Sequence, residues 1–165
     1  MLEVQGKVFQ FGDNIDTDQI YPGRFLELTK PNEIASHAME GLDSEFNSKV
    51  EQGDIVVAGD NFGCGSSREH AVIALKNCGI DLIIAESFAR IFFRNCLNLA
   101  LPASICEEVN NHVNEGNELK VDIEKGQIHN LTTNETLNAK KMSEYALKIL
   151  KAGGIKSLVK NELIN

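Results

Sequence analysis

Apolar and polar positions divide the first two thirds of the chain into alternating strands and helices. Residues 3–10 alternate weakly between apolar and polar side chains, which predicts a first strand. Short apolar runs rich in β-branched residues predict three further strands, at 54–59, 81–87 and 101–108. Apolar residues at helical spacing predict helices at 68–79 and 89–101. This order of elements is typical of a parallel α/β sheet with right-handed crossovers.

The pattern changes before and after this block. Residues 12–25 are rich in acids and turn formers and predict a long loop, whereas 31–40 predict a short helix with Pro31 in its first turn. Residues 117–139 alternate around two turn sequences, which predicts antiparallel hairpin strands. A last helix is predicted over 143–155, capped at one of two successive glycines. We therefore expect one α/β domain over residues 1–165, with a mixed, largely parallel central sheet, flanking helices and an additional antiparallel β layer.

Composition excludes several classes of function. The 165 residues carry a net charge of −8, which disfavours binding to nucleic acid or to anionic membranes. The chain has no apolar run of about 20 residues and no signal-peptide pattern, so we expect a cytoplasmic protein. Its four cysteines form no CxxC pair and have no histidine at ligand spacing, so no metal site is expected in this chain.

The stretch GDNFGCGSSREHAV, residues 59–72, is the strongest candidate for chemistry. A glycine-rich turn before a helix directs backbone N–H groups at an anion, and the helix dipole adds about half a positive charge there. The spacing does not match a P-loop or a dinucleotide-binding fingerprint. An alternative without function is a capping box between Ser66 and Glu69. That alternative leaves Arg68 unexplained, since a cation opposes the dipole at a helix start unless an anion lies in front of it.

Three segments together, 12–20, 59–71 and 87–95, resemble the small subunits of isopropylmalate isomerase and homoaconitase, which are equivalent to the swivelling last domain of aconitase. The resemblance implies a swivelling-type β/β/α domain. It also implies a hydro-lyase that moves a hydroxyl group between adjacent carbons of a 2-hydroxy diacid through an unsaturated intermediate. The 4Fe-4S cluster of such an enzyme belongs to a separate large subunit, with which this chain would form a heterodimer or heterotetramer.

The resemblance also implies roles for individual residues. Ser66 is expected to remove the proton beside a carboxylate, Ser67 to hydrogen-bond substrate, and Arg68 to bind the carboxylate. Gly65 is expected to contact substrate, and the acidic loop residues Asp16 and Asp18 to line or brace the site.

Substrate choice in the family depends on the loop at 21–29. At Glu27 this chain has an acid, whereas homoaconitase-type subunits have arginine and isopropylmalate-type subunits have an apolar residue. Arg24 could replace the missing cation, pair with Glu27, or lie free in solvent. We expect a small subunit of 3-isopropylmalate dehydratase, which interconverts 2- and 3-isopropylmalate in leucine biosynthesis. The alternatives are the same chemistry on dimethylmalate, methylmalate (citramalate) or homoaconitate, and a carboxylate-binding module without catalysis.

Overall fold

The computed structural model describes residues 2–164 and contains seven strands and eight helices within them. The strands β1 to β7 are, in chain order, Glu3–Gln10, Asp54–Ala58, Ile80–Ala85, Ala103–Ile105, Glu118–Asp122, Gln127–Asn130 and Thr136–Asn138. The helices α1 to α8 are Thr17–Ile20, Pro31–Ala35, Phe46–Lys49, Glu69–Cys78, Arg90–Asn98, Val109–His112, Glu144–Ala152 and Ile155–Ile164. A 3-10 turn lies at Gly23–Phe25. None of these helices has the length and apolar character that crossing a membrane requires.

Most of the expected elements are present. All the predicted strands form, as do the helices expected before β2, after β2, after β3 and near the C-terminus. The prediction of an irregular loop over 12–25 was wrong in part, because that segment contains α1 and the 3-10 turn. The short helices α3 and α6 and the C-terminal helix α8 were not predicted.

The seven strands form one mixed sheet in the order β4-β3-β2-β1-β5-β6-β7. Strands β1 to β4 are parallel, and β5 to β7 are antiparallel. The two parts meet at β1, whose first half pairs with β5 and whose second half pairs with β2. The predicted mixed, largely parallel α/β class is therefore confirmed, and the antiparallel strands are joined to the parallel ones through β1.

The central parallel strands β2 and β3 are buried on both faces. Val56 of β2 contributes to a core shared with α2, α4 and α5, whereas its neighbour Ile55 contributes to a second core. Leu119 of β5 and Ile128 of β6 also belong to the second core, so the antiparallel strands contribute to the face opposite α2, α4 and α5. Burial on both sides explains why β2 and β3 are continuously apolar in sequence rather than alternating.

The three motif segments meet at one edge of the sheet. Strands β1, β2 and β3 are parallel and end at Gln10, Ala58 and Ala85, so the segments that follow them leave from the same edge. Isolated bridges join Asp16 to Cys64 and Phe62 to Phe88, which ties these three segments together. Ligand sites of open α/β sheets lie outside this carboxyl edge.

Candidate active site

A cleft of about 190 Å³ opens at the carboxyl edge of the parallel strands. Its lining comes from α1, from the turn before α4 and from the first turns of α5: Thr17, Gly63, Gly65, Ser66, Ser67, Arg68, Ala89, Arg90, Ile91, Phe92 and Asn95. Ser66 and Ser67 are exposed there, and Arg68 is half-buried. Two of the lining residues carry a guanidinium group and none carries a carboxylate, so the cleft suits an anion.

The hydroxyl of Ser66 is held by a buried neighbour. Its Oγ lies 3.3 Å from the Oγ1 of Thr17, a residue that is only 2% exposed. The Thr17 N–H donates to the carbonyl of Cys64 at 2.8 Å, which fixes α1 against the turn that carries Ser66. Ser66 is therefore positioned by a contact with a residue 49 positions earlier in the chain.

Arg68 is held at the helix start by two hydrogen bonds. Its Nη1 donates to the Asp18 carboxylate at 2.9 Å and to the Tyr21 carbonyl at 3.2 Å. The same Asp18 oxygen accepts the Gly23 N–H at 2.8 Å. Within residues 2–164 the other N–H groups of this guanidinium have no hydrogen-bond acceptor, so one edge of its planar fork is available to a ligand.

The capping box between Ser66 and Glu69 does not form. Helix α4 begins at Glu69, Arg68 is its N-cap, and no side chain caps it. The Ser66 hydroxyl instead faces Thr17, while Gly65 at φ +97° turns the chain away from helical geometry. The alternative of a capping box was therefore wrong as a prediction of the hydrogen bonds at the start of α4.

The two acidic loop residues brace the cleft rather than line it. Asp16 is the N-cap of α1 and accepts the Gln19 N–H at 2.8 Å, while the Gln19 side chain accepts the Asp16 N–H at 3.0 Å. Asp18 holds Arg68, and its side chain is 68% exposed. Of the two expected roles, lining or bracing the site, the positions of Asp16 and Asp18 fit bracing.

The predicted specificity residues lie outside the cleft lining. Arg24 forms an ion pair with Glu40 at 3.0 Å and lies over the Phe25 ring, so the suggested pair with Glu27 does not exist. Glu27 is exposed and has no ion-pair partner among residues 2–164. The prediction from sequence did not include Thr17, Arg90 or Asn95 in the site. All three lie in the three motif segments, and the signal that could have identified them is that these segments follow strands of one parallel sheet.

The interaction of Arg68 with Asp18 predicts a pH dependence of stability. The hydrogen bond from Arg68, together with the Gly23 N–H, holds the pKa of Asp18 below its usual value of 3.8. A carboxyl with a lowered pKa stabilises the fold above its unfolded pKa, and that stabilisation is lost as the pH falls through the folded pKa. Wild type should lose stability as the pH falls below 3.8. We expect Asp18→Asn, which has no carboxyl to protonate at this position, to lose less stability over the same range.

Urea unfolding at several pH values measures this effect. Asp43→Asn is the matched control, because Asp43 is half-buried and its side chain accepts one hydrogen bond among residues 2–164, from the Glu45 N–H. Equal acid sensitivity in wild type and Asp18→Asn would contradict the assignment.

Gly63 is needed for the turn that carries the serines. It has φ +84°, and an added Cβ would lie 2.1 Å from Cγ of the buried Phe92 ring. Gly116 has φ +82° but no atom within 4 Å of the same position, which makes it a matched control. We expect Gly116→Ala to lower the free energy of unfolding by about 1 kcal/mol and Gly63→Ala by roughly 3 kcal/mol, as measured by urea titration. Equal losses would show that Phe92 does not restrict Gly63.

The cysteines of this chain do not fit an iron–sulfur cluster. Within residues 2–164 the one group of three potential metal ligands is Asp13, Asp60 and Glu86, which contains no thiol. Cys96 is fully buried, and burial raises the pKa of Cys78 to about 11. Clusters of this type are held by several exposed thiolates that lie close together, and the described cysteines of this chain do not form such a group.

Comparisons with known proteins identify the family of this chain. The model of the aconitase C-terminal domain matches residues 29–108. An isopropylmalate/citramalate isomerase small subunit from Methanocaldococcus jannaschii is 51% identical over 160 residues, which are 97% of this chain and 95% of that protein. A 3-isopropylmalate dehydratase small subunit from Caldicellulosiruptor saccharolyticus is 53% identical over 159 residues, covering 96% and 92%.

A solved structure shares the whole fold. The crystal structure of a 3-isopropylmalate dehydratase chain from Methanocaldococcus jannaschii superposes with a TM-score of 0.95 at 43% identity, covering 99% of this chain and 96% of that one. The names of the relatives describe small subunits, which implies a large-subunit partner. By similarity over nearly its full length, this chain belongs to the 3-isopropylmalate dehydratase small-subunit family, a family of hydro-lyase subunits in leucine biosynthesis that carries the aconitase C-terminal domain.

Proposed function

We propose that this chain is the small subunit of a two-chain iron–sulfur hydro-lyase that interconverts 2-isopropylmalate and 3-isopropylmalate through 2-isopropylmaleate. The observation that carries the proposal is the placement of Ser66, Ser67 and Arg68 together in one anion-compatible cleft. In this proposal the chain acts as one swivel-type domain over residues 1–165, and it is active in the cytoplasm only with its large subunit.

Arg68 binds one carboxylate of the substrate. Its guanidinium is pre-oriented by Asp18 and by the Tyr21 carbonyl, so little side-chain freedom is lost when the substrate binds. A carboxylate accepts two parallel hydrogen bonds from such a fork. Arg90 gives the cleft a second cation, which suits a diacid better than a monoacid.

Ser66 removes the proton from the carbon next to the bound carboxylate. Loss of that proton places negative charge on the carboxylate, where Arg68 and the N–H groups around the start of α4 stabilise it. A serine hydroxyl is a weak base unless its deprotonated form is stabilised, and the positive lining of the cleft supplies that stabilisation. Ser67 and Gly65, both exposed in the same cleft, hydrogen-bond to the substrate.

The large subunit completes the site. We assign the 4Fe-4S cluster to it, because the described cysteines of this chain are scattered and two of the four are buried. The exposure of Ser66 and Ser67 also supports a site that is shared between two chains. A hydro-lyase has to exclude bulk water during the reaction, and this cleft is open on its own. We propose a heterodimer or heterotetramer of the two chains.

The loop after α1 favours a substrate with two carboxylates. Arg24 is already paired with Glu40, and Glu27 adds a negative charge on the exposed side of the loop. Such a loop has no free cation for the third carboxylate of homoaconitate. Methylmalate (citramalate) is the second candidate, because the 51% identical relative is named an isopropylmalate/citramalate isomerase.

Anaerobic co-purification with the large subunit tests the proposal. The complex is assayed with isopropylmalate, citramalate, dimethylmalate and homoaconitate, and the conjugated intermediate is followed by its ultraviolet absorbance. We expect activity only from the two chains together and the highest kcat/KM with isopropylmalate. Turnover by this chain alone, or tight diacid binding without assembly, would instead support a different enzyme or a carboxylate-binding module.

A further inference from the structure

We infer that Thr17 positions Ser66 and donates a hydrogen bond that stabilises its deprotonated form. This inference rests on the proposed role of Ser66 as the base. The observation that supports it lies inside the candidate cleft. The buried hydroxyl of Thr17 lies 3.3 Å from the exposed hydroxyl of Ser66, which is within hydrogen-bond distance.

Thr17 is fixed by its backbone on both sides. Its N–H donates to the Cys64 carbonyl at 2.8 Å, and its own carbonyl accepts the Tyr21 N–H at 2.8 Å. The capping box of Asp16 and Gln19 holds the start of α1, in which Thr17 is the first residue. The Thr17 hydroxyl therefore has a defined position even though α1 is only 4 residues long.

The Thr17 hydroxyl has one side-chain partner among residues 2–164, and that partner is Ser66. While Ser66 is protonated, either hydroxyl can donate to the other. Once Ser66 is deprotonated only Thr17 can donate, and a hydrogen bond to a charged oxygen is roughly twice as strong as one between neutral groups. The contact consequently favours the deprotonated state of Ser66.

A neutral donor matters for Ser66 because the positive charge of Arg68 is partly compensated by the Asp18 carboxylate. Among the charged groups, Arg68 and Arg90 line the cleft, and Asp18 is bound to Arg68 at 2.9 Å. Asp16 lies beside Thr17 but directs its carboxylate at the Gln19 N–H. Thr17 is only 2% exposed, so water has little access to its hydroxyl and the donor remains available to Ser66.

The test is the pH profile of kcat for Thr17→Val and Thr17→Ser in the complex with the large subunit. Valine keeps the shape of threonine and removes the hydroxyl, whereas serine retains the donor. We expect Thr17→Val to lower kcat by roughly 10- to 100-fold at neutral pH, to move the rising limb of the profile to higher pH, and to leave KM unchanged. Thr17→Ser should recover most of the rate and the wild-type profile.

Two measurements separate this role from a merely structural one. Thr136→Val, on the exposed strand β7, is the control for loss of a hydroxyl, and urea unfolding reports whether Thr17→Val is folded. A folded Thr17→Val complex with the wild-type pH profile would overturn the inference, as would a lowered rate without any shift of the profile. A wild-type complex that converts none of the diacids would contradict the proposed function itself, and this is established before the variants are compared.

Discussion

Replacement of Ser66 by alanine is expected to lower kcat by about 10²- to 10⁴-fold, which is the usual contribution of a positioned general base. The KM for the diacid should change little, because the carboxylate contact of Arg68 is retained. Assembly with the large subunit should also be normal, since Ser66 is exposed and its one side-chain hydrogen bond among residues 2–164 is with Thr17. Steady-state kinetics of the complex, combined with gel filtration, measure all three quantities.

A second serine controls for the loss of a surface hydroxyl. Ser36 is exposed at the end of α2 and donates to the Glu33 carbonyl, so Ser36→Ala should retain wild-type kcat. Retention of activity in an assembled Ser66→Ala complex would remove Ser66 from the role of base.

Replacement of Arg68 by lysine is expected to lower kcat/KM by about 10²- to 10³-fold, the loss typical of removing one donor to a developing anion. Lysine keeps the positive charge but not the planar fork, so it cannot bind Asp18, the Tyr21 carbonyl and a substrate carboxylate at once. The free energy of unfolding should change little, because the Asp18 side of the ion pair is exposed to solvent.

Arg94→Lys is the matched control for this substitution. Arg94 is exposed on α5, one turn after Arg90, and does not line the cleft. Its variant should show wild-type kcat/KM. Near-normal turnover by Arg68→Lys would mean that a point charge suffices and that bidentate binding of the carboxylate is not used.

The sequence predicted those parts of the fold whose signals are local. Strands β2 and β3 contain the apolar runs at 55–58 and 82–85, and α4 ends at Cys78 with Gly79 as its cap, so pattern and cap agree with the structure. Helix α8 was missed because successive glycines indicate only where a helix ends. Gly153 caps α7 in the left-handed conformation, a Cβ added at Gly154 would lie 2.6 Å from the Asn98 carbonyl oxygen, and α8 starts at the next residue.

The candidate site was predictable in its residue types but not in its contacts. A serine three residues before a glutamate is a local capping signal, yet the Ser66 hydroxyl is engaged by Thr17, 49 residues away. In the same way, Arg24 and Glu27 are neighbours in sequence, but Glu40 lies closer to the guanidinium in the folded chain. Such pairings depend on which segments the sheet edge brings together, and a pattern of single residues carries no information about that.

The central claim is that Ser66 of this chain acts inside a site completed by the large subunit, and a mixing experiment tests it most directly. A limiting amount of large subunit is reconstituted with equal amounts of wild-type chain and Ser66→Ala chain, and the initial rate on isopropylmalate is compared with that of wild-type chain alone. If the variant assembles normally and lacks only the base, it occupies half of the partner and the rate falls to about half. An undiminished rate would contradict the account, because the variant would then either be active or fail to assemble.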